Sequence, residues 1–170
     1  MIYKELKIEP NTYIKDPEFS KKIKSAIDLL DSKSNAEFLV LKKYTKIIRA
    51  AQSSGANYNE KEMTIDIGMT TFNASLEWLA SVLAHENQHL KKYKDTGKKY
   101  GDAHLMKDKK KALQVMIAEE MECNGVQLIV LKKIGGTTAE IDYLGKQKGD
   151  HFDVNKDGVY DEKDYGSRNW

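Results

Sequence analysis

The chain has 170 residues, 40% of them hydrophobic, with one cysteine and a formal net charge of +2. That length and apolar share suit one folded domain with a single core. The lone Cys123 excludes an internal disulfide and suits a reducing compartment, and the near-neutral balance gives no electrostatic case for nucleic-acid binding.

Taken in order, the N-terminal MIYKELKIEPNTYIKD has no apolar centre like that of a secretory signal. PEFSKKIKSAIDLLD, residues 17–31, reads as a helix, with Pro17 in the first turn and Phe19, Ile23, Ile27 and Leu30 on one stripe. Ser34 or Asn35 caps a second short helix through Leu41. YTKIIRA, from Tyr44 to Ala50, reads as a strand, and SSGANYNEK as a turn-rich loop. EMTIDIGM alternates Met63, Ile65 and Ile67 with Thr64, Asp66 and Gly68, which predicts a strand with one buried face. Asn73 or Ser75 then opens a long helix to about Lys94, and a second runs from about Asp108 to Lys133 before Gly135-Gly136. The remainder reads as loop. No apolar run approaches the roughly 18 residues of a membrane span.

VLAHENQHLKKY places His85 and His89 four apart in the first long helix. Residues at that spacing share a face, so both rings can reach one ion. Leu76, Leu79, Leu83 and Leu90 form a neighbouring apolar stripe that buries the helix. Glu86 is offset from the histidine line, so it is free to hold a water while the histidines bind the metal.

A third ligand is needed. Asp95, six residues after His89, is one candidate, but Lys92 occupies the turn where glycine would be needed. The second long helix offers a better one. Leu113, Ile117, Glu120, Asn124, Leu128 and Leu131 form one stripe, and a carboxylate within an apolar stripe requires compensation. A zinc ion would compensate Glu120. Asn124, one turn on, would hydrogen-bond a ligand histidine, and Glu119 is the alternative ligand.

HExxH followed by a glutamate-bearing helix resembles the gluzincin branch of the zincin metallopeptidases. EEMECN is similar to the family's glutamate segment, with Cys123 where a small residue is usual and Asn124 where aspartate is usual. The resemblance spans about residues 40–135. It implies an α+β, zincin-like fold, with a small sheet packed on the HExxH helix and on the helix carrying Glu120. It implies zinc on His85, His89 and Glu120, with Glu86 as base, and a protein or peptide substrate paired along MTIDIG. More loosely, size and layout resemble the metallopeptidase toxin domains of RHS-type polymorphic toxins, which implies export within a larger protein and an inhibitory partner. The other expectation for location is the cytoplasm.

DVNKDGVYDEKD fits the EF-hand calcium pattern: Asp153, Asn155 and Asp157 at positions one, three and five, Gly158 at six, the Val159 carbonyl at seven, Asp161 at nine and Asp164 at twelve. It is similar to dockerin-type calcium loops. The expected organisation is therefore a zincin-like domain, residues 1–149, with a calcium-binding loop and tail, 150–170, packed on it. The lysines between Lys91 and Lys111 read as a solvated rim. His151, just before the acidic loop, is expected to have no catalytic part. The competing expectations are a binding protein in which metal only holds the fold, with four ligands closed by Glu119 or Asp95, and an amidase acting on a cell-wall link.

Overall fold

In the computed structural model, residues 1–59 and 62–167 are described. The sheet begins in the N-terminal stretch that the sequence left unassigned. β1 (Ile2–Tyr3) turns back into β2 (Leu6–Glu9) through Lys4 and Glu5, both at positive φ, 46° and 72°. Two left-handed residues in a two-residue connection match the twist of the paired strands. Without the usual Asn-Gly signature, sequence alone does not announce this hairpin.

Helices α1 (Glu18–Lys33) and α2 (Asn35–Tyr44) follow. Tyr44 ends α2, so the strand expected from Tyr44 is the shorter β3, Ile47–Ala50. The expected loop SSGANYNEK contains a strand instead, β4 (Gly55–Asn59). Its Gly, Ala and Asn residues have little strand preference of their own. Antiparallel pairing with β5 (Glu62–Ile67), from Gly55 opposite Asp66 to Asn59 opposite Glu62, overrides it. The sheet order is β1-β2-β3-β5-β4, with β2, β3 and β5 parallel and β4 antiparallel at the edge. MTIDIG therefore lies inside the sheet and has no free edge; the edge belongs to β4.

One face of the sheet is apolar. Leu6, Ile8, Ile48, Ile65 and Ile67 pack beneath Phe19, Ile23 and Ile27 of α1, Phe38 and Leu41 of α2, and Leu79 and Leu83 of α4 (Leu76–Thr96). Burying each such side chain stabilises the fold by about 1.5–3 kcal/mol. The opposite face carries polar pairs such as Arg49 with Asp66, at 2.8 Å. Between β5 and α4 lies the short helix α3, Met69–Asn73.

α4 starts where the sequence indicates. Ser75 caps it, accepting from the Trp78 N–H at 2.9 Å, and Gly97 closes it at φ +70°. A 3-10 turn, Tyr100–Leu105, leads to α5 (Lys109–Ile134), which runs from the Asp108 cap to Gly135 at φ +93°. The remaining chain is not all loop. A capping box of Thr137 and Glu140 starts α6 (Thr138–Gly145), and α7 covers Glu162–Ser167. The T-x-x-E spacing was a legible signal for α6.

A second, smaller apolar cluster joins Ala112, Leu113 and Met116 of α5 to Phe152 and Tyr160. The C-terminal segment is thereby fastened to the start of α5. Residues 168–170 of the expected tail lie outside the described residues.

Candidate metal centre

α4 and α5 lie side by side, tied at one end by Gln127 Nε2 donating to Ser81 Oγ at 3.3 Å. At the other end Gln88 and Lys92 both donate to Glu122, at 2.8 and 2.6 Å. Between these ties the histidine turn of α4 faces Glu120 of α5. His85 Nε2 lies 3.5 Å from Glu120 Oε1, and His89 Nε2 lies 3.5 Å from Glu120 Oε2. One ligand atom from each of the three residues lies within 4.8 Å of the others, and all three residues are buried. Ligands about 2.0–2.1 Å from a tetrahedral ion stand about 3.3 Å apart, so the spacing suits one cation. Among the described residues this group could hold a metal ion.

The outer nitrogen of His89 is also engaged. Glu119 Oε1 lies 3.3 Å and Cys123 Sγ 3.4 Å from Nδ1. Glu119, the alternative ligand, thus sits on the side of the ring away from Glu120, where it orients the imidazole. Asp95 pairs with Lys91 at 2.8 Å and lies outside the group. Asn124 makes no hydrogen bond to either histidine among the described residues; Cys123 and Glu119 occupy that role at His89. At His85 the buried Nδ1 has no hydrogen-bond partner, and the amide beside the ring is Gln127. Seven residues on an ideal helix return to within about 20° of the starting direction, whereas four leave about 40°. Gln127 therefore shares the Glu120 face more closely than Asn124 does, a signal the sequence contained.

The charges fit a cation. Burial pushes His85 down to about 4, so its ring is neutral and able to ligate. Burial also disfavours charge on His89, but Cys123, Glu119 and Glu120 outweigh it and raise its pKa well above the ordinary value. Burial alone would raise Glu120; the His89 hydrogen bond and the nearby histidine charges bring it down to about 2. A metal ion would replace the proton that His89 holds among these acids. Glu86 lies outside the ligand group, and burial pushes its carboxyl up to about 7. The Ala56 N–H of β4 opposes that shift, which places Glu86 beside the edge strand.

The triad opens into a cleft of about 460 Å³. β4 lines it through Gly55, Ala56, Asn57 and Tyr58, and so do Lys99, His151, Phe152 and Tyr165. The sequence reading did not place His151 here. Behind the lining residues, Tyr93 packs on Tyr58 and His104 stacks on Tyr165, while Tyr143 packs on Trp78.

In the acidic loop, Asp153 accepts the N–H groups of Asp157 and Gly158 at 3.0 and 2.9 Å, with Gly158 at φ +79°. Asn155 Oδ1 accepts from Asp157 N and Asp157 Oδ1 from Val159 N, both at 3.0 Å. Asp164 accepts from Val154 and Asp161, at 3.0 and 3.2 Å, and Asp161 accepts from Lys163 at 2.7 Å. These carboxylates serve the loop's own backbone, and among the described residues they do not form a group of three acids converging on one point.

The chain matches no family model, no curated protein and no solved structure. Among the described residues, no helix is long and apolar enough to cross a membrane.

Proposed function

We propose that the protein is a zinc-dependent endopeptidase with a zincin-like core. The observation that carries this reading is the meeting of His85, His89 and Glu120, with Glu86 buried beside them and lining the same cleft as β4. His85, His89 and Glu120 would hold the ion. When bound there, zinc supplies Lewis-acid polarisation of a carbonyl and acidifies water. Glu86, with its proton affinity near neutrality, takes a proton from the attacking water and delivers it to the leaving amine. The free edge of β4 offers backbone groups to an extended peptide, as unpaired strand edges do.

Three ligands leave a position for water and substrate. That favours catalysis over a fold-holding ion, which would need a closed set of four.

The test is zinc content and cleavage of unfolded protein substrates. Wild type and Glu86→Gln should each carry about one zinc per chain, and only wild type should cleave. Glu120→Ala should lose the metal. An absence of zinc from metal-replete wild type would overturn the reading.

Two further parts of the proposal rest on sequence resemblance. Calcium in the 153–164 loop is supported by ligand spacing alone; an unchanged melting temperature in millimolar calcium would remove it. A toxin role predicts that cytoplasmic expression of wild type, and not Glu86→Gln, arrests bacterial growth.

A further inference from the structure

We infer that the lysines bordering the cleft form a docking surface for an acidic stretch of the protein substrate, away from the bond that is cut. This rests on the peptidase reading above and names the class of substrate that reading leaves open.

From Lys98 to Lys111 the chain holds six lysines against two acids, Asp102 and Asp108. Asp108 is engaged as the cap of α5, its Oδ1 accepting from the Lys111 N–H at 3.0 Å. Lys109 donates to the His104 carbonyl. Lys98, Lys99, Lys107, Lys110 and Lys111 are exposed, and among the described residues they make no ion pair. On α4, by contrast, Lys91 pairs with Asp95 and Lys92 with Glu122, at 2.8 and 2.6 Å.

Folding does not account for these charges. Lys94 lies in the last turn of α4, where the helix dipole favours a cation. Lys109, Lys110 and Lys111 instead fill the first turn of α5, which contains no acid. Cations at that end oppose the dipole and cost stability. A local rule broken at such a cost is expected where function requires it.

The fold brings these lysines to the cleft. Ala103 packs with Ala112, Leu113 and Met116, which seats the 3-10 turn on the start of α5. That turn carries Lys98 and Lys99 just before it and Lys107 just after it. Its His104 stacks on Tyr165 at 3.9 Å, and Tyr165 and Lys99 both line the cleft. Lys99 therefore stands where the basic surface and the cleft meet.

Charge complementarity selects the occupant. The carboxylates of an acidic segment match the five exposed ammonium groups. Nucleic acid fits less well. The net charge is only +2, Asp102 stands on the cleft wall, and the 153–164 loop brings its acids against α5, where Tyr160 N donates to Lys109 O at 3.0 Å. A continuous polyphosphate would face those acids, whereas a short acidic segment need not.

The probe is reduced, carboxymethylated lysozyme carrying a fluorescent label, with its lysines native or succinylated, which turns each amine into a carboxylate. Binding to Glu86→Gln with zinc present is read by anisotropy. The succinylated form should bind about ten-fold or more tightly than the native form, as several exposed charge pairs together supply. Salt at about 0.5 M should remove the preference. Replacing Lys98, Lys99, Lys107, Lys110 and Lys111 by glutamine should abolish it, whereas replacing the exposed Lys15, Lys21, Lys33, Lys43 and Lys46 should not. Equal affinity for the two forms, or equal loss in the two five-lysine variants, would overturn the docking surface. So would tighter binding of a single-stranded oligoribonucleotide than of succinylated lysozyme. Wild type should cleave the succinylated form with a KM lower by about the same factor. Wild type that shows the binding preference but cleaves neither form would support the surface and overturn the peptidase reading alone.

Discussion

Glu86 holds a charge in a place that resists charge. Its carboxyl titrates near 7 in the folded, metal-free chain and near the ordinary 4.5 when unfolded. Between those values folding takes up a proton, so this group's contribution to stability falls as pH rises from about 4.5 to 7. Glu86→Gln removes the effect. Metal-free Glu86→Gln should be more stable than metal-free wild type at pH 8, by about 3 kcal/mol, with the gap closing below about pH 4.5. Urea unfolding at the two pH values in chelator measures it. The neighbouring acids on α5 separate in another way. Glu120 faces both Nε2 atoms, whereas Glu119 touches only Nδ1 of His89. Glu120→Ala should abolish metal binding, while Glu119→Ala should weaken it about 10–100-fold, as loss of an orienting partner does. Chelator competition distinguishes the two, and equal losses would make Glu119 a ligand.

The strand least visible in the sequence borders the site. β4 is built from residues that favour turns, and its register comes from β5 and from one close backbone approach. Gly68, just after β5, lies so near Ser53 and Ser54 that a Cβ would stand 2.6 Å from Ser53 Cα and 2.9 Å from Ser54 N. Both are backbone atoms, which no rotamer change relieves. Gly68→Ala should therefore destabilise the protein by about 1–3 kcal/mol and lower cleavage through a displaced β4, read from the urea midpoint and from KM. The same reasoning explains what sequence could convey. The gathering of His85, His89 and Glu120 was legible because a four-residue spacing and a carboxylate in an apolar stripe are local patterns. Both long helices were legible from the cap candidates Asn73 or Ser75 and Asp108 and from Gly135-Gly136, with the first running two residues past the expected Lys94 to Thr96. β4, the interior place of MTIDIG and the arrival of His151 in the cleft all depend on pairing between distant segments, which leaves no periodic trace.

Across the molecule, the candidate ion site joins α4 to α5, so metal bound there would be coupled to folding. Free metal at 100 times its dissociation constant should stabilise the fold by about 2.7 kcal/mol. Glu86→Gln should share the gain and Glu120→Ala should lack it, as thermal melts with and without zinc would report. The core beneath is a separate contribution. Leu83, fully buried on α4, should cost about 2–5 kcal/mol when cut to alanine, whether or not metal is present. The packing of residues 149–152 against the start of α5 also imposes an order in time. Synthesis produces all three ligands by residue 120, but the wall carrying His151, Phe152 and Tyr165 is complete only some tens of residues later. At about 5–20 residues per second that is a lag of a few seconds. If the proposed site takes up an ion, capture by a nascent chain precedes the arrival of the cleft wall formed by His151, Phe152 and Tyr165.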